Sequence, residues 1–208
     1  MEIKTVGVVG CGLMGHGIAQ VTAQSGYHVV VREMDQAALE RGLAKIEKQL
    51  ARSVEKGRLD QADADAARGR ITGTLDYAEL ADCDLVLEAI TEGLEVKREM
   101  WAAVKQVVQP EALFATNTSS LAVIDQAVVT DRPERFLGLH FFNPPQVMKL
   151  VEVVRCVTTS EETFAAGRDW ATSLGKLAIP TRDKAGFIVN RLLVPYMVDA
   201  IRAYEEGV

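Results

Sequence analysis

The chain has 208 residues, of which 48% are hydrophobic and 25% are charged, and its formal net charge at pH 7 is −6. These proportions exclude a wholly disordered chain, and the length allows a substantial core without support from metal ions or disulfide bonds. Because lysine and arginine are scattered along the sequence, it lacks the concentrated basic surface that nucleic acids and anionic membranes require, and we expect neither as a partner.

Cysteine usage and hydropathy indicate the compartment. Cys11, Cys83 and Cys156 cannot all pair within one chain, and no two of them form a CxxC motif. We therefore expect no disulfide framework and no metal site. No segment reaches the roughly 18 apolar residues of a transmembrane helix, and residues 1–4 lack the layout of a signal peptide. We expect a reducing, cytoplasmic location.

The first third of the chain predicts a βαβ unit followed by a helical hairpin. Residues 3–9 and 27–32 are β-rich, and residues 13–25 between them have a helical pattern, which implies parallel strands and a right-handed crossover. Apolar residues spaced by three or four predict a helix over 35–57, and an Ala- and Asp-rich segment predicts another over 60–69. This pair is longer than a crossover needs, so we expect it to project beside the sheet.

The rest of the chain predicts further strands and helices. Apolar runs at 136–142 and 150–157 are separated by too few residues for a helical crossover, so we expect them to pair in antiparallel fashion. One strongly apolar helix is expected from Ala185 to the end. The fold class is therefore α/β with a mostly parallel sheet. The other predicted elements are extended segments at 71–75, 84–90, 113–116 and 176–181 and helices at 94–108 and 161–174.

Gly10-Cys11-Gly12-Leu13-Met14-Gly15 forms a GxGxxG motif. Alone the motif is weak, but here it closes a strand and opens a helix at the start of a βαβ unit, as dinucleotide binding requires. Gly10 allows a tight turn, Gly12 lets the backbone approach a pyrophosphate, and Gly15 lets helix and strand pack closely. The N–H groups at the start of the helix attract the phosphates.

An acidic residue follows at the expected distance. Glu33 lies 18 residues after Gly15 (33 − 15), where the motif places a carboxylate that binds the ribose hydroxyls. A carboxylate repels a 2′-phosphate, which favours NAD over NADP, whereas the adjacent Arg32 could accommodate that phosphate. The alternative interpretation is a glycine turn that only packs a helix, with Glu33 as a surface charge.

Hydride transfer at an alcohol carbon also needs a group that moves the hydroxyl proton. His16, on the first helical turn, and His28, at the start of a strand, are explained as ordinary polar positions. His140 ends an apolar strand at the edge of the sheet where ligands bind. If the next run folds back, Glu152 returns beside His140, fixes its tautomer and stabilises its positive charge. The alternative is a core histidine with its hydrogen bonds satisfied.

Four polar residues follow the predicted strand at 113–116. Asn117, Thr118, Ser119 and Ser120 lie at its carboxyl end. Two interpretations fit equally well: a helix cap, or hydrogen-bond donors to a substrate oxygen or to the nicotinamide.

Six ordered motifs, which span essentially all 208 residues, resemble those of the 3-hydroxyacyl-CoA dehydrogenase family, particularly the bacterial 3-hydroxybutyryl-CoA dehydrogenases. The resemblance implies reversible, NAD-linked interconversion of an (S)-3-hydroxyacyl-CoA and its 3-oxoacyl-CoA. The substrate would be an acyl-CoA thioester and the cofactor NAD. The motifs lie at residues 8–15, 87–92, 117–121, 138–144, 148–153 and 186–191.

The resemblance also implies roles at matching positions. It makes His140 the catalytic base, Glu152 its partner carboxylate, and Ser119 and Asn190 the contacts of the substrate oxygen. The implied cofactor contacts are Gly10, Gly12, Leu13, Met14, Gly15, Glu33, Glu92, Lys97, Asn117 and Asn143.

The resemblance further implies two domains. We expect an NAD-binding, Rossmann-like domain at 1–183 that carries the helical hairpin, and the first helix of an all-α domain at 184–208. In the family that second domain forms one wall of the acyl-CoA cleft and most of a dimer contact. With only its first helix in this chain, we expect NAD binding and weak or absent turnover unless another chain completes the cleft. We also expect association or aggregation through the apolar residues of 187–204, and a homodimer as the oligomer.

Two other functions stay open. One is a dehydrogenase of the same fold that acts on a free 2- or 3-hydroxy acid, commonly with a lysine base or an arginine clamp. His140, Glu152 and the Asn-Pro-Pro turn at 143–145 argue against it. The other is a non-catalytic protein that binds NAD for structure or sensing. The four implied catalytic residues disfavour this second alternative.

Overall fold

A computed structural model describes residues 2–208 and shows one eight-stranded sheet with helices on both faces. The strands are β1 (Thr5–Val9), β2 (His28–Arg32), β3 (Ile71–Thr74), β4 (Leu85–Glu88), β5 (Leu113–Thr116), β6 (Phe136–Phe141), β7 (Leu150–Arg155) and β8 (Leu177–Arg182). The α-helices are α1 (Gly15–Gln24), α2 (Gln36–Glu55), α3 (Gln61–Gly69), α4 (Leu94–Val104), α5 (Ile124–Ala127), α6 (Glu161–Ser173) and α7 (Val189–Glu205), and short 3₁₀ helices lie at Tyr77–Leu80 and Pro133–Arg135.

The strand order is β3-β2-β1-β4-β5-β6-β7-β8. Neighbouring strands are parallel except for β6 and β7, which confirms the Rossmann-like α/β fold and the expected antiparallel pair. Only the loop at 142–149 joins β6 to β7, whereas α6 carries the chain back so that β8 runs parallel to β7. The chain reverses its direction of travel across the sheet between β1 and β4, and ligands of such sheets bind in the crevice beyond that point.

Helices cover both faces of the sheet, which explains why its central strands are apolar throughout. On one face, Ile18 of α1 and Ile46 of α2 are fully buried against the strands. On the other face, the Trp101 ring of α4 packs on Phe114 and Phe136, with ring centroids 5.2 and 5.0 Å apart. The core on both faces holds the carboxyl ends of the strands in fixed positions.

The predicted helical hairpin forms from α2 and α3. Its apolar stripe, which includes Leu39, Ile46 and Leu50, is buried in the same core as α1. Gly42 brings α2 directly onto the glycine turn, because a Cβ atom there would lie 2.7 Å from the carbonyl oxygen of Cys11. The hairpin therefore supports the turn from behind.

The prediction that the last helix begins at Ala185 is wrong. Helix α7 begins at Val189, and residues 185–188 form a turn. Gly186 and Phe187 adopt positive φ angles of 75° and 48°, and a right-handed helix cannot contain two such residues. This turn aims the start of α7 at the end of the sheet where β7 begins.

Helix α7 has no buried residue, and it exposes many apolar side chains. None of the helices within residues 2–208 is both long and apolar enough to cross a membrane. The exposed apolar residues of α7 include Leu192, Leu193, Val194, Tyr196, Met197, Val198, Ile201 and Tyr204.

We predict that Gly42→Ala destabilises the protein although alanine is the better helix former. The new methyl group would lie 2.4 Å from the Cys11 sulfur, so the turn or α2 must shift, at a cost of about 1–3 kcal/mol in the free energy of unfolding. Urea denaturation measures this loss. The matched control is Gly69→Ala at the end of α3, where no atom lies within 4 Å. Equal effects of the two substitutions would contradict the close packing at Gly42.

Candidate active site

The glycine turn has the geometry of a phosphate cradle. Gly10 has a φ angle of 96°, and a Cβ atom there would lie 2.7 Å from the carbonyl oxygen of Ala89. A Cβ atom at Gly15 would lie 1.8 Å from the carbonyl oxygen of Gly10, so α1 packs as closely as the motif requires. A Cβ atom at Gly12 would have no other atom within 4 Å. The backbone at Gly12 thus faces open space at the start of α1, where a phosphate group fits.

A crevice of about 750 Å³ extends from this turn to the end of β2. Glu33 lines it together with Gly10, Gly12, Leu13 and Met14. The carboxylate of Glu33 accepts hydrogen bonds from the backbone N–H groups of Cys11, at 2.6 Å, and Met34, at 3.0 Å. Glu33 is therefore held at the crevice wall rather than free on the surface.

Arg32, which precedes Glu33, packs against Tyr77. Its guanidinium carbon lies 3.8 Å from the centroid of the Tyr77 ring, and its Nε donates to the carbonyl oxygen of Leu75 at 3.3 Å. Both contacts hold the guanidinium group against Tyr77, and Arg32 and Tyr77 line the crevice together with Glu33.

A second cavity, of about 310 Å³, adjoins the crevice and shares Met14, Ala89 and Ile90 with it. It brings together residues from four strand ends and from α7 that are far apart in sequence. Gly15 and Glu152 line neither space, since Gly15 packs against Gly10 and Glu152 lies behind His140. The predicted site residues that line the second cavity are Met14, Glu92, Lys97, Asn117, Ser119, His140, Asn143 and Asn190.

His140 and Glu152 are direct cross-strand partners on β6 and β7. Their side chains point to the same face of the sheet, and His140 Nδ1 lies 2.6 Å from Glu152 Oε2. His140 is 5% exposed and Glu152 is 1% exposed. Because Nδ1 donates to the carboxylate, the neutral imidazole carries its lone pair on Nε2. His140 is buried as a core histidine would be, but it also lines the cavity.

The second oxygen of Glu152 has partners that the sequence did not predict. Glu152 Oε1 accepts from the backbone N–H groups of Ile188 and Val189, both at 2.9 Å. These groups lie at the start of α7, where an anion is favoured. Phe187, next to them, packs its ring 5.5 Å from that of His140. The carboxylate thus connects the histidine to the position of α7, and through it to Asn190.

The helix-cap interpretation of Asn117, Thr118, Ser119 and Ser120 is wrong. The next helix begins only at Ile124, and the carboxylate of Asp183 binds the N–H groups of Val123 and Ile124 at its start. Two of the four residues, Asn117 and Ser119, instead line the cavity. Asn117 Oδ1 accepts from the N–H of Phe141 at 2.9 Å, which connects the ends of β5 and β6. Asn190 Nδ2 donates to the carbonyl oxygen of Ser119 at 3.3 Å, which brings α7 to the same loop.

Lys97 and two carboxylates, buried Glu88 and exposed Glu92, form a charge cluster on the wall of the cavity. Lys97 Nζ lies 2.6 Å from Glu88 Oε1 and 3.0 Å from Glu92 Oε2. Glu88, which is fully buried, also accepts from Thr116 Oγ1 and from the N–H of Ile90. Glu88 is not among the predicted site residues, although an acidic residue at the end of an apolar strand is a signal for such a role. The cluster holds the loops after β4 and β5 together.

The environment of Glu92 changes its acidity. Partial burial raises the pKa of Glu92, but a hydrogen bond from Thr118, the charge of Lys97 and the N–H of Ser119 outweigh burial and lower the pKa below its ordinary value. Thr118 Oγ1 and the Ser119 N–H donate to the same oxygen, at 2.5 and 2.8 Å. Glu92 is therefore an anion at neutral pH, and its charge orders the residues beside His140.

Comparison with known proteins finds relatives that match nearly the whole chain. The family model described as "3-hydroxyacyl-CoA dehydrogenase, NAD binding domain" matches residues 5–184. A probable 3-hydroxybutyryl-CoA dehydrogenase of Deinococcus radiodurans is 45% identical over 202 residues, which is 97% of this chain and 72% of that protein. The human mitochondrial hydroxyacyl-coenzyme A dehydrogenase is 42% identical over 99% of this chain and 67% of its own length. The crystal structure of (S)-3-hydroxybutyryl-CoA dehydrogenase PaaH1 from Ralstonia eutropha superposes with a TM-score of 0.97, at 40% identity, over 99% of this chain and 73% of that one.

We predict that Glu92→Gln makes the stability of the protein less dependent on pH. A carboxylate whose pKa is lowered on folding stabilises the folded state above its unfolded pKa of about 4.3, and that contribution is lost as the pH falls through the folded value. The difference in unfolding free energy between the original protein and the variant should therefore be largest near neutral pH and shrink in acid. Urea denaturation across this pH range measures it.

The control for this experiment is Glu95→Gln, which removes a largely exposed carboxylate that pairs with Arg98 at 2.8 Å and reports the effect of losing a charge from an exposed ion pair. A difference between Glu92→Gln and the original protein that stays constant from neutral to acid pH would contradict the role of the Glu92 contacts.

Proposed function

The chain belongs to the 3-hydroxyacyl-CoA dehydrogenase family of NAD-dependent oxidoreductases, and we propose that it interconverts an (S)-3-hydroxyacyl-CoA and the corresponding 3-oxoacyl-CoA. We propose 3-hydroxybutyryl-CoA as the substrate, because relatives over nearly the whole chain carry that name. The observation that carries the proposal is the buried pair of His140 and Glu152 on the wall of a cavity that adjoins the glycine turn.

The residues of the crevice fit an NAD molecule. Gly10 and Gly12 would hold its pyrophosphate, and Glu33 would bind the adenosine ribose. Glu33 on the crevice wall supports NAD over NADP, because a carboxylate there repels a 2′-phosphate, although Arg32 lines the same crevice. When bound, NAD supplies the acceptor or donor of the hydride. We assign Leu13, Met14, Gly15, Glu92, Lys97, Asn117 and Asn143 to the same binding site.

His140 would move the proton. In the oxidation, Nε2 of His140 takes the proton of the C3 hydroxyl while the hydride leaves C3, so the alcohol carbon becomes a carbonyl carbon. The carboxylate of Glu152, fixed at 2.6 Å, stabilises the positive charge that the imidazole gains. In the reduction, the charged His140 returns the proton to the oxygen as it develops negative charge.

Ser119 and Asn190 would hold the reacting oxygen. Both line the cavity with His140, and Asn190 is kept there by its bond to the backbone of Ser119. Donors placed where negative charge develops contribute roughly 10²–10³ in rate. Because they lie on the loop after β5 and on α7, this contribution depends on the docking of α7 by Glu152.

The proposal predicts that His140→Asn abolishes most turnover and leaves cofactor binding intact. Asparagine keeps an amide at the position of Nδ1, beside Glu152, but has no counterpart of Nε2, so a loss of about 10²–10⁴ in turnover is expected. The assay follows NADH oxidation with acetoacetyl-CoA, and fluorescence titration measures NADH binding.

The matched variant, Glu152→Gln, should also lower turnover, because it removes the negative charge beside His140. Full activity of the His140→Asn variant would overturn the proposed mechanism. NADH binding without turnover by the original protein would favour the alternative of a chain that binds the cofactor without catalysis, either for structure or sensing or because its acyl-CoA cleft is incomplete.

We further propose that the exposed apolar residues of α7 contact a second copy of the chain. A continuous apolar surface of this kind marks a protein contact, and α7 buries none of its own residues. We also propose that the protein is located in the cytoplasm. The three cysteines, which form no disulfide within the described chain, support this location.

Sedimentation velocity tests the contact. The chain is expected to sediment as a dimer, and Met197→Glu combined with Ile201→Glu is expected to shift it toward the monomer. The control is Glu55→Lys, at an exposed position on α2, which should leave the dimer unchanged. A monodisperse monomer of the original protein contradicts the proposed contact.

A further inference from the structure

Three polar side chains form a hydrogen-bonded chain beneath the candidate active site, and none of them has a role in the proposed reaction. His16 Nδ1 lies 2.6 Å from the carbonyl oxygen of Gly12, and His16 Nε2 lies 3.1 Å from Gln49 Nε2. Gln49 Oε1 in turn accepts from Gln146 Nε2. We call His16, Gln49 and Gln146 the His16 bridge. His16 is 7% exposed, so its interpretation as an ordinary polar position on a helix face is wrong.

With the amide groups of Gln49 and Gln146 oriented as in the structure, the hydrogen bonds of the His16 bridge run in one direction. The carbonyl oxygen of Gly12 can only accept, so His16 Nδ1 must carry the proton. Nε2 of the neutral ring is then an acceptor, and it receives the amide N–H of Gln49. The remaining oxygen of Gln49 receives the amide N–H of Gln146. The bridge therefore requires the Nδ1-protonated, neutral tautomer of His16.

The His16 bridge joins two parts of the site that no strand connects directly. At one end, Gly12 belongs to the turn that faces the crevice. At the other end, Gln146 belongs to the loop 142–149, which also carries Asn143 on the wall of the second cavity. The middle member, Gln49, comes from α2 in the helical hairpin. The bridge thus spans from the phosphate end of the site to the end beside His140.

The loop 142–149 is also held from both sides. A Cβ atom at Gly17 would lie 2.6 Å from Gln146 Oε1 and 2.9 Å from Pro145 Cδ, so the loop rests directly on the first turn of α1. From the opposite side, Lys176 Nζ donates to the carbonyl oxygens of Pro145, at 2.6 Å, and Met148, at 2.9 Å. Gln146 and Asn143 thus belong to one loop that is held on both sides.

We propose that His16 is a positioning residue for NAD. Through Gln49 and Gln146 it fixes the separation between the glycine turn and the loop that carries Asn143, and so holds the pyrophosphate and nicotinamide ends of the site in register. This inference rests on the NAD binding proposed above. A site whose two ends are fixed in advance binds a ligand that spans both more tightly, because less order is lost on binding.

The experiment compares NADH, which spans both ends of the site, with ADP, which reaches only the glycine turn. His16→Asn keeps an amide at the position of Nδ1 for the bond to Gly12 and lacks Nε2, so it cuts the bridge at Gln49. Gln49→Leu cuts the same link from the other side. Each variant is expected to weaken NADH binding about two- to tenfold, the value of one hydrogen bond, and to leave ADP binding unchanged. The double variant should lose no more than either single variant, because both cut one link.

Two further measurements separate positioning from a merely structural role. Thermal melts identify variants that lose their fold. His16→Leu also loses the bond to Gly12, so it should weaken the binding of ADP and of NADH together. In the original protein, ¹⁵N NMR at neutral pH should show His16 protonated at Nδ1 and unprotonated at Nε2.

Several outcomes overturn the proposal. Unchanged NADH affinity in His16→Asn and Gln49→Leu, equal weakening of ADP and NADH by these two variants, additive losses in the double variant, or the opposite tautomer of His16 would each do so. If the original protein binds no NADH, the proposed function fails as well. If the original protein and both variants bind NADH equally, only the His16 bridge fails.

Discussion

A buried carboxylate needs a partner for each of its oxygens, and the structure around Glu152 follows from that requirement. Placing an ionised carboxyl group in the interior is costly unless hydrogen bonds and charges compensate it. One oxygen of Glu152 receives His140 Nδ1, and the other receives the N–H groups of Ile188 and Val189. The same group therefore orients the imidazole and fixes the start of α7. The left-handed backbone of Gly186 and Phe187 is the local cost of bringing these two N–H groups to the carboxylate.

The two cavities owe their position to the order of the strands. Between β1 and β4 the chain changes its direction of travel across the sheet, so the loops after these strands diverge and leave a crevice. The glycine turn follows β1, the charged cluster of Glu88 and Lys97 follows β4, and His140 lies on β6. Parallel strands place all these carboxyl ends on one edge. Residues that are far apart in sequence thus meet around a single space.

Polar contacts around the site hold its loops in place, as the packing of the core holds the strand ends. Lys97 is shared by Glu88 and Glu92, and these contacts order the loops after β4 and β5. On the other side, Lys176 holds the loop after β6. Buried ionic groups contribute little net stability, because their desolvation offsets their attraction. Their effect here is to restrict each loop to one arrangement, which is what a hydride transfer between two bound molecules requires.

Sequence by itself determined the features that depend on local pattern or on the length of a connection. The spacing of Gly10, Gly12 and Gly15 indicated the turn, and the short loop at 142–149 forced β6 and β7 to be antiparallel, which placed Glu152 opposite His140. Only the tertiary structure decided where α7 begins, that Asp183 rather than the residues after β5 caps α5, and which groups pair with the second oxygen of Glu152 and with His16. The physical reason is that a buried polar group takes its partner from whichever element packs against it, and neither periodicity nor spacing along the chain specifies that neighbour.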